Sequence, residues 1–213
     1  MTTVPGYYDS VRREVLHAVP TDAQRILEIG CGAGATSGFL KDQGLCDWAG
    51  GVEFVPEVAE QARARLDRVW TGDIERMDLD IPEESLDVIL CLDVLEHLVD
   101  PWAVVRRLDG LLKPGGSIVA SIPNVRNSGV VFPLLWRGEW TYQDYGVLDR
   151  THLRFFVRRT AIELMESSGL KVDFVDNLYR KMKRRRRRKL LSVLTFGLSL
   201  EFATVQFLIR AVK

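Results

Sequence analysis

Arg25-Ile26-Leu27-Glu28-Ile29-Gly30-Cys31-Gly32-Ala33-Gly34 starts as a short apolar run, passes through an acid and breaks into glycines at alternate positions. The pattern predicts a strand that ends in a tight loop, with a helix behind it. Bare backbone at such a loop approaches a ligand closely, because glycine has no Cβ and tolerates positive φ. The helix that follows points its first N–H groups at the same place. The stretch therefore predicts a nucleotide-like ligand over Gly30–Gly34.

Before it, Val11, Val15, Leu16 and Val19 fall on one helical face, which predicts a helix over 7–19 closed by Pro20. After it, strand and helix alternate. A helix over 35–43 stops at Gly44, and a strand over 48–53 ends in the acid Glu53. Pro56 opens a helix and a short segment follows at 69–71. The near-continuous apolar run Leu86–Leu92 suits a central parallel strand buried on both faces. Asp100 caps a helix with Pro101 at its first position, Lys113–Gly116 makes a turn, and 117–122 is the next strand. These alternations with short turns predict an α/β, Rossmann-like, doubly wound sheet.

From 124 the texture changes. Residues 124–158 are rich in aromatics and follow no period, which predicts an acceptor-binding lid over 124–160. Thr160 is expected to cap a helix over 161–168, and strands are expected at 170–175 and 203–211. The organisation is one domain: an N-terminal helix in 1–21, a cofactor half in 22–123, the lid, and a C-terminal half in 161–213 with a basic insert at 180–200.

The companions of the glycine loop narrow its ligand. Glu53 lies at the end of the second strand, where an acid can accept both ribose hydroxyls of an adenosine. Asp73 ends the third segment, where a carboxylate can meet an exocyclic amine. Glu28 would be awkward beside a pyrophosphate and suits a cationic end. The Gly30-x-Gly32-x-Gly34 spacing also departs from that of dinucleotide binders. Both points favour S-adenosylmethionine over NAD and disfavour an NAD-dependent oxidoreductase.

These stretches, together with Asp93-Val94-Leu95-Glu96-His97-Leu98 and Leu112-Lys113-Pro114-Gly115-Gly116, resemble the class I S-adenosylmethionine-dependent methyltransferases. Within that superfamily the chain is similar to the branch holding the ubiquinone-biosynthesis-type and polysaccharide-cluster enzymes, over about 22–179 and again at the final strand. The resemblance implies a seven-stranded sheet with an antiparallel last strand. It also implies S-adenosyl-L-methionine as cofactor and S-adenosyl-L-homocysteine as product. It assigns Glu28, Gly30, Cys31, Gly32 and Gly34 to the methionine part, Glu53 to the ribose and Phe54 to the adenine face. Asp73 and Ile74 would meet the adenine amine and ring. Cys91, Leu92 and Asp93 would line the methyl-transfer end, and His97 would close the cofactor pocket.

A second cluster, Asp149-Arg150-Thr151-His152-Leu153-Arg154-Phe155-Phe156, resembles a signature of the polysaccharide-linked branch. Packed aromatics with polar neighbours suit a polyhydroxylated acceptor. His152, with Asp149 beside it, is a candidate general base for a hydroxyl, its ordinary pKa lying near 6.5. The alternative is that Asp149, Arg150 and His152 brace the lid onto the sheet. No His, Asp and Glu set stands at metal spacing in the sequence, which argues against an obligatory metal. The expected activity is O-methylation of a small molecule or of a sugar unit of a cell-surface polysaccharide. The alternatives are a quinone-type or lipid-linked acceptor at a membrane surface, and a non-catalytic interaction module that kept the cofactor fold.

Bulk properties bound these readings. The 213 residues are 46% hydrophobic and 27% charged, which suits one α/β domain with a full core. The 29 basic residues balance the 29 acidic ones, but nine of the basic ones fall in 180–189, so an acidic body carries one compact basic patch. Beside the apolar stretch 190–200, this patch reads either as a solvated loop or as an element for an anionic membrane surface. The acidic body disfavours nucleic acid. The apolar stretch is expected to dock either on the core or on a second copy in a homodimer. Three cysteines with no paired spacing and an N-terminus with no basic–apolar leader predict a cytoplasmic protein, free or peripheral to the inner membrane face.

Overall fold

The computed structural model describes residues 9–179 and 198–213. The basic run, its membrane reading and most of the apolar stretch after it lie outside the described residues. Strand β1 (Arg25–Ile29) leads through α1 (Ala35–Asp42) to β2 (Trp48–Glu53), and α2 (Pro56–Ala62) leads to β3 (Arg68–Thr71). Then come β4 (Leu86–Leu92), α3 (Pro101–Leu111), β5 (Leu112–Pro123), α4 (Ser128–Arg137) and α5 (Arg158–Met165). The chain ends with β6 (Lys171–Tyr179), α6 (Leu198–Ala203) and β7 (Thr204–Val212).

The strands form one seven-stranded sheet in the order β3-β2-β1-β4-β5-β7-β6. The first five are parallel, and β7 runs antiparallel between β5 and β6, as expected. The alternation read in β1 holds: Leu27 and Ile29 enter the core on one face of the sheet, and Ile26 enters the other. In β4, Leu86 and Val88 through Leu92 are all buried, so both faces of this strand are covered. Each such aliphatic side chain contributes roughly 1.5–3 kcal/mol relative to exposure. The chain order reverses between β1 and β4, and at such a switch point the strand ends leave a crevice for a ligand. Among the described residues no helix is long and apolar enough to cross a membrane.

Several local expectations are corrected. The helix over 7–19 is, within the described residues, only a 3-10 turn at Arg13–His17. Val15, Ala18 and Val19 are buried as the pattern required. The preceding residues are instead drawn across the glycine-loop end of the sheet. There the Arg12 N–H donates to Thr36 Oγ1 at 3.3 Å, and the Arg12 guanidinium pairs with Asp93. The Lys113–Gly116 turn is absorbed into β5 as a bulge, the register jumping from Leu86 opposite Leu112 to Val88 opposite Ser117.

The aperiodic segment contains a helix, α4, capped by Asn127 and closed by Gly138 at φ +65°. Thr160 does not cap α5 from outside. It lies in the first turn and its hydroxyl bonds the Val157 N–H and carbonyl, both at 3.1 Å.

Candidate functional site

The glycine loop has the conformation that its composition requires. Gly30, Gly32 and Gly34 have φ of +68°, +54° and +76°. At Gly30, which is exposed, a Cβ would stand 2.6 Å from Val94 Cγ2. The backbone there is a bare shelf beside the end of β4.

Glu53 reaches back to this loop. Its Oε2 accepts the Gly32 N–H at 2.9 Å and its Oε1 accepts the Val55 N–H at 2.9 Å, which leaves a second lone pair on each oxygen. The next residue, Phe54, is 66% exposed at the end of β2. Asp73 accepts the Glu75 N–H at 2.9 Å, and Ile74 lies buried beside it. An acid at a strand end, an exposed aromatic ring, a small apolar wall and uncovered glycine backbone together fit an adenosine carrying an amino-acid tail.

Glu28 departs from the simple picture. It is buried, and its Oε2 accepts the Ser37 N–H at 3.1 Å and the Ser37 hydroxyl at 2.7 Å. One oxygen thus serves the N-terminal turn of α1, and Oε1 remains without a partner among the described residues. Burial, only partly offset by the Ser37 bonds, pushes its carboxyl up to about 7.

Beyond the loop, a cavity of about 190 Å³ opens at the C-terminal end of β4. Asp93, Glu96 and His97 line it from the β4 side, Pro123, Val205 and Gln206 from β5 and β7, and Gly146, Val147, Asp149 and His152 from the segment after α4. Asp93, at φ +58°, accepts from the Ser121 hydroxyl at 3.0 Å and from Arg12 and Gln206, so its carboxylate is already occupied. The segment holding His152 is tied to the sheet through Leu153 and Arg154, whose N–H groups donate to the Glu96 carbonyl at 2.9 and 3.0 Å.

The His152 ring is buried and stacks edge-on with His97, the centroids 4.7 Å apart. Its Nδ1 lies 3.1 Å from the Val147 carbonyl. A carbonyl can only accept, so Nδ1 carries the proton and Nε2 keeps its lone pair. Burial first, and His97 second, pull its pKa below the ordinary imidazole value, which favours the uncharged ring.

The comparisons with known proteins agree with this arrangement. A family described as "Methyltransferase domain" matches residues 6–174. The chain belongs to that family. It is an S-adenosylmethionine-dependent methyltransferase. A ubiquinone biosynthesis O-methyltransferase of Xylella fastidiosa is 30% identical over 171 residues, 73% of this chain and 67% of that protein. One of Xanthomonas euvesicatoria is 28% identical over 180 residues, 76% of this chain and 70% of that protein. A methyltransferase structure from Archaeoglobus fulgidus superposes with a TM-score of 0.64 at 20% identity, covering 95% of this chain and 90% of that one. One from Mesorhizobium loti gives 0.65 at 18%, covering 94% and 96%. At these identities the structures speak for the fold alone.

Within the methyltransferase, several assigned residues sit elsewhere than expected. Cys91 does not line the methyl-transfer end, because its side chain is wholly buried in the core between β1 and β5. Leu92 is packed on the opposite face with Val119 and Leu208. Cys31 turns its sulfur under Gly51, where an added Cβ would meet it at 2.5 Å, and its N–H goes to the Val52 carbonyl. Burial raises both thiols well above their ordinary range, so neither serves as a nucleophile.

His97, expected to close the cofactor pocket, lines the cavity at the end of β4 together with Asp93. It turns there to Thr151 and His152. Asp149 acts through Thr151, accepting its N–H at 2.8 Å and its hydroxyl at 2.6 Å. The brace of Asp149, Arg150 and His152 is also corrected, since Arg150 pairs outward with Asp144.

Two features escaped the sequence reading. Arg12 carried no motif that pointed at Asp93. Glu96, His97 and His152 stand at no metal spacing in the sequence, yet the fold brings Glu96 and His97 to His152.

Proposed function

We propose that this methyltransferase methylates a hydroxyl oxygen of a small polar acceptor held in the cavity beside His152. The observation that carries the reading is the buried His152 ring on the wall of the cavity at the end of β4, its Nδ1 on the Val147 carbonyl and its Nε2 left to face an acceptor. S-adenosylmethionine, when bound, supplies a methyl group on a sulfonium centre, an electrophile that needs no further activation. The chain's own residues supply placement and proton removal. Glu53 and Phe54 orient the adenosine, the Gly30–Gly34 backbone receives the amino-acid tail, and the lid excludes water. As the acceptor oxygen forms its bond to the methyl carbon and the carbon–sulfur bond breaks, the hydroxyl proton passes to His152 Nε2.

A cavity of about 190 Å³ suits one ring rather than an extended chain. The Asp149–Phe156 signature favours a sugar ring, destined for a cell-surface polysaccharide. The names of the relatives favour the second reading, a phenolic ring of a quinone precursor. The test is transfer of labelled methyl to a panel of free sugars, nucleotide sugars and dihydroxybenzoates, by wild type and His152→Ala. Transfer to none of these classes would sink the reading. Transfer that His152→Ala leaves intact at every pH would remove the base.

A further inference from the structure

Helix α4 turns toward solvent a face that a lone globular domain rarely leaves open. Only Val130 of its residues is buried. Phe132, Leu134, Leu135 and Trp136 are 43%, 42%, 70% and 72% exposed. At roughly 200 Å² for a large side chain, these exposures amount to on the order of 450 Å². An exposed apolar patch of that size is often a contact site. The helix under it is well defined: Asn127 caps it and Gly138 closes it. The Phe132 ring stacks on Phe202 of α6, the centroids 5.9 Å apart, and meets Trp136 edge-on at 4.7 Å.

Three features of this face identify what covers it. The first is shape. Gly129, Phe132 and Trp136 share one side of the helix, at positions i, i+3 and i+7. Gly129 is exposed, and a Cβ placed on it would meet only Asn127 Oδ1. The face thus has a notch at one end and its largest side chain at the other, about 10 Å away at 1.5 Å per residue. A second α4 can lie against it in the antiparallel sense, with a two-fold axis between Phe132 and Pro133. Each Trp136 then falls on the Gly129 of the other copy. A two-fold dimer needs a surface complementary to itself, and this face has that property.

The second feature is hydrogen bonding. Pro133 has no N–H, so the Gly129 carbonyl four residues earlier lacks its helical donor. A tryptophan indole N–H needs an acceptor when it is buried. The notch that receives the Trp136 ring therefore offers one at its rim.

The third feature is area and charge. Each side of a standard interface gives roughly 800 Å², somewhat over half of it apolar, and the α4 side chains by themselves supply that apolar share. The arginines at the two ends of α4 are already paired, Arg126 with Glu201 and Arg137 with Glu139. Ends neutralised in this way do not repel a second copy, and neither arginine is left over for an anionic lipid headgroup.

We propose that α4 is a homodimer interface, two copies packing antiparallel with Trp136 of each seated on Gly129 of the other. Helix α4 opens the segment that brings Gly146, Val147, Asp149 and His152 to the cavity, so the dimer holds that segment at its base. The inference stands apart from the choice of acceptor.

Sedimentation velocity of the full chain over a wide concentration range should show a reversible monomer–dimer equilibrium. Trp136→Ala removes the knob and Gly129→Leu fills the notch. Each should weaken the dimer by about 100-fold, as loss of a central tryptophan contact does. The double variant places a leucine where the tryptophan no longer comes. It should recover to within about 10-fold of wild type, because the two changes meet at one contact. S-adenosylhomocysteine should bind all three variants as it binds wild type, which shows the fold intact. A chain that is monomeric at every concentration would overturn the proposal. Association after deletion of residues 190–197 would then assign the cover to the chain itself, and sedimentation with phosphatidylglycerol vesicles would assign it to a membrane. A dimer that both single variants leave intact, or a double variant weakened by the product of the two single effects, would overturn the pairing of Trp136 with Gly129.

Discussion

Glu53 at the end of β2 accepts the Gly32 N–H at 2.9 Å and so ties the strand-end acid to the glycine loop of β1. One carboxylate therefore fixes the loop, and its remaining lone pairs are the ones the proposed ribose contact would use. Glu53→Ala should lose both. Leaving the Gly32 and Val55 N–H groups unsatisfied costs about 1–3 kcal/mol of stability. Affinity for S-adenosylhomocysteine should fall by about 10–100-fold, at roughly 1.4 kcal/mol per tenfold for each lost bond. Calorimetry on Glu53→Ala and Glu53→Gln checks this, the amide variant falling between wild type and alanine. Equal affinity in all three would remove Glu53 from the ribose site.

Gly30 and Gly44 have nearly the same backbone, φ +68° and +69°, but different surroundings. A Cβ at Gly30 strikes Val94, whereas at Gly44 nothing lies within 4 Å. Gly44→Ala should cost about 1–2 kcal/mol, the penalty of a left-handed L-residue. Gly30→Ala should cost more, because Val94 must move, and it alone should weaken cofactor binding. Urea midpoints of the two variants make the comparison, and identical midpoints would contradict the clash.

The Glu28 carboxyl gives a pH signature. Its ordinary value is 4.5, and burial pushes it up to about 7 in the fold. Between these values the folded chain keeps a proton that the unfolded chain has released. Stability conferred by Glu28 is therefore lost as pH rises from about 4.5 to 7 and stays lost above. Glu28→Gln carries no such charge. Its stability relative to wild type should rise through that window, by on the order of 3 kcal/mol at most, and be flat on either side. Urea unfolding of ligand-free protein at several pH values checks this. A difference that does not change with pH would show that Glu28 is not buried uncharged.

What was legible in the sequence and what was not divide along physical lines. The sheet and its helices were legible because they are punctuated locally: Gly30 and Glu53 mark strand ends, and Pro56 and Asp100 mark helix starts. Helix α4 was not, because from Gly129 to Trp136 it has no polar residue and so no hydrophobic stripe to read, and Pro133 sits in its interior. Cys91 was misplaced because a strand-end position was taken for a cleft position, while both faces of β4 are covered. The cluster of Glu96, His97 and His152 depends on the return of the segment after α4 to the Glu96 carbonyl. No local spacing encodes that return. The Thr151 hydroxyl that meets His97 Nδ1 at 3.1 Å was hidden for the same reason.

Thr151 therefore carries the most specific consequence of the fold for the chemistry. Its hydroxyl links Asp149 to His97 and touches nothing in the glycine loop. Thr151→Val keeps the volume and removes the link, so His97 loses one of its two acceptors and Asp149 loses a donor. His97 packs edge-on against His152, so releasing it should misplace the proposed base and lower kcat by about 10–100-fold. Affinity for S-adenosylhomocysteine should stay at the wild-type value. Thr151→Ser restores the hydroxyl and should restore most of the rate, which a loss of packing alone would not allow, since serine is the smaller residue. Steady-state kinetics on the two variants, with calorimetry alongside, decide the matter. A serine variant as slow as the valine variant would show that the hydroxyl link to Asp149 is not sufficient to hold His97.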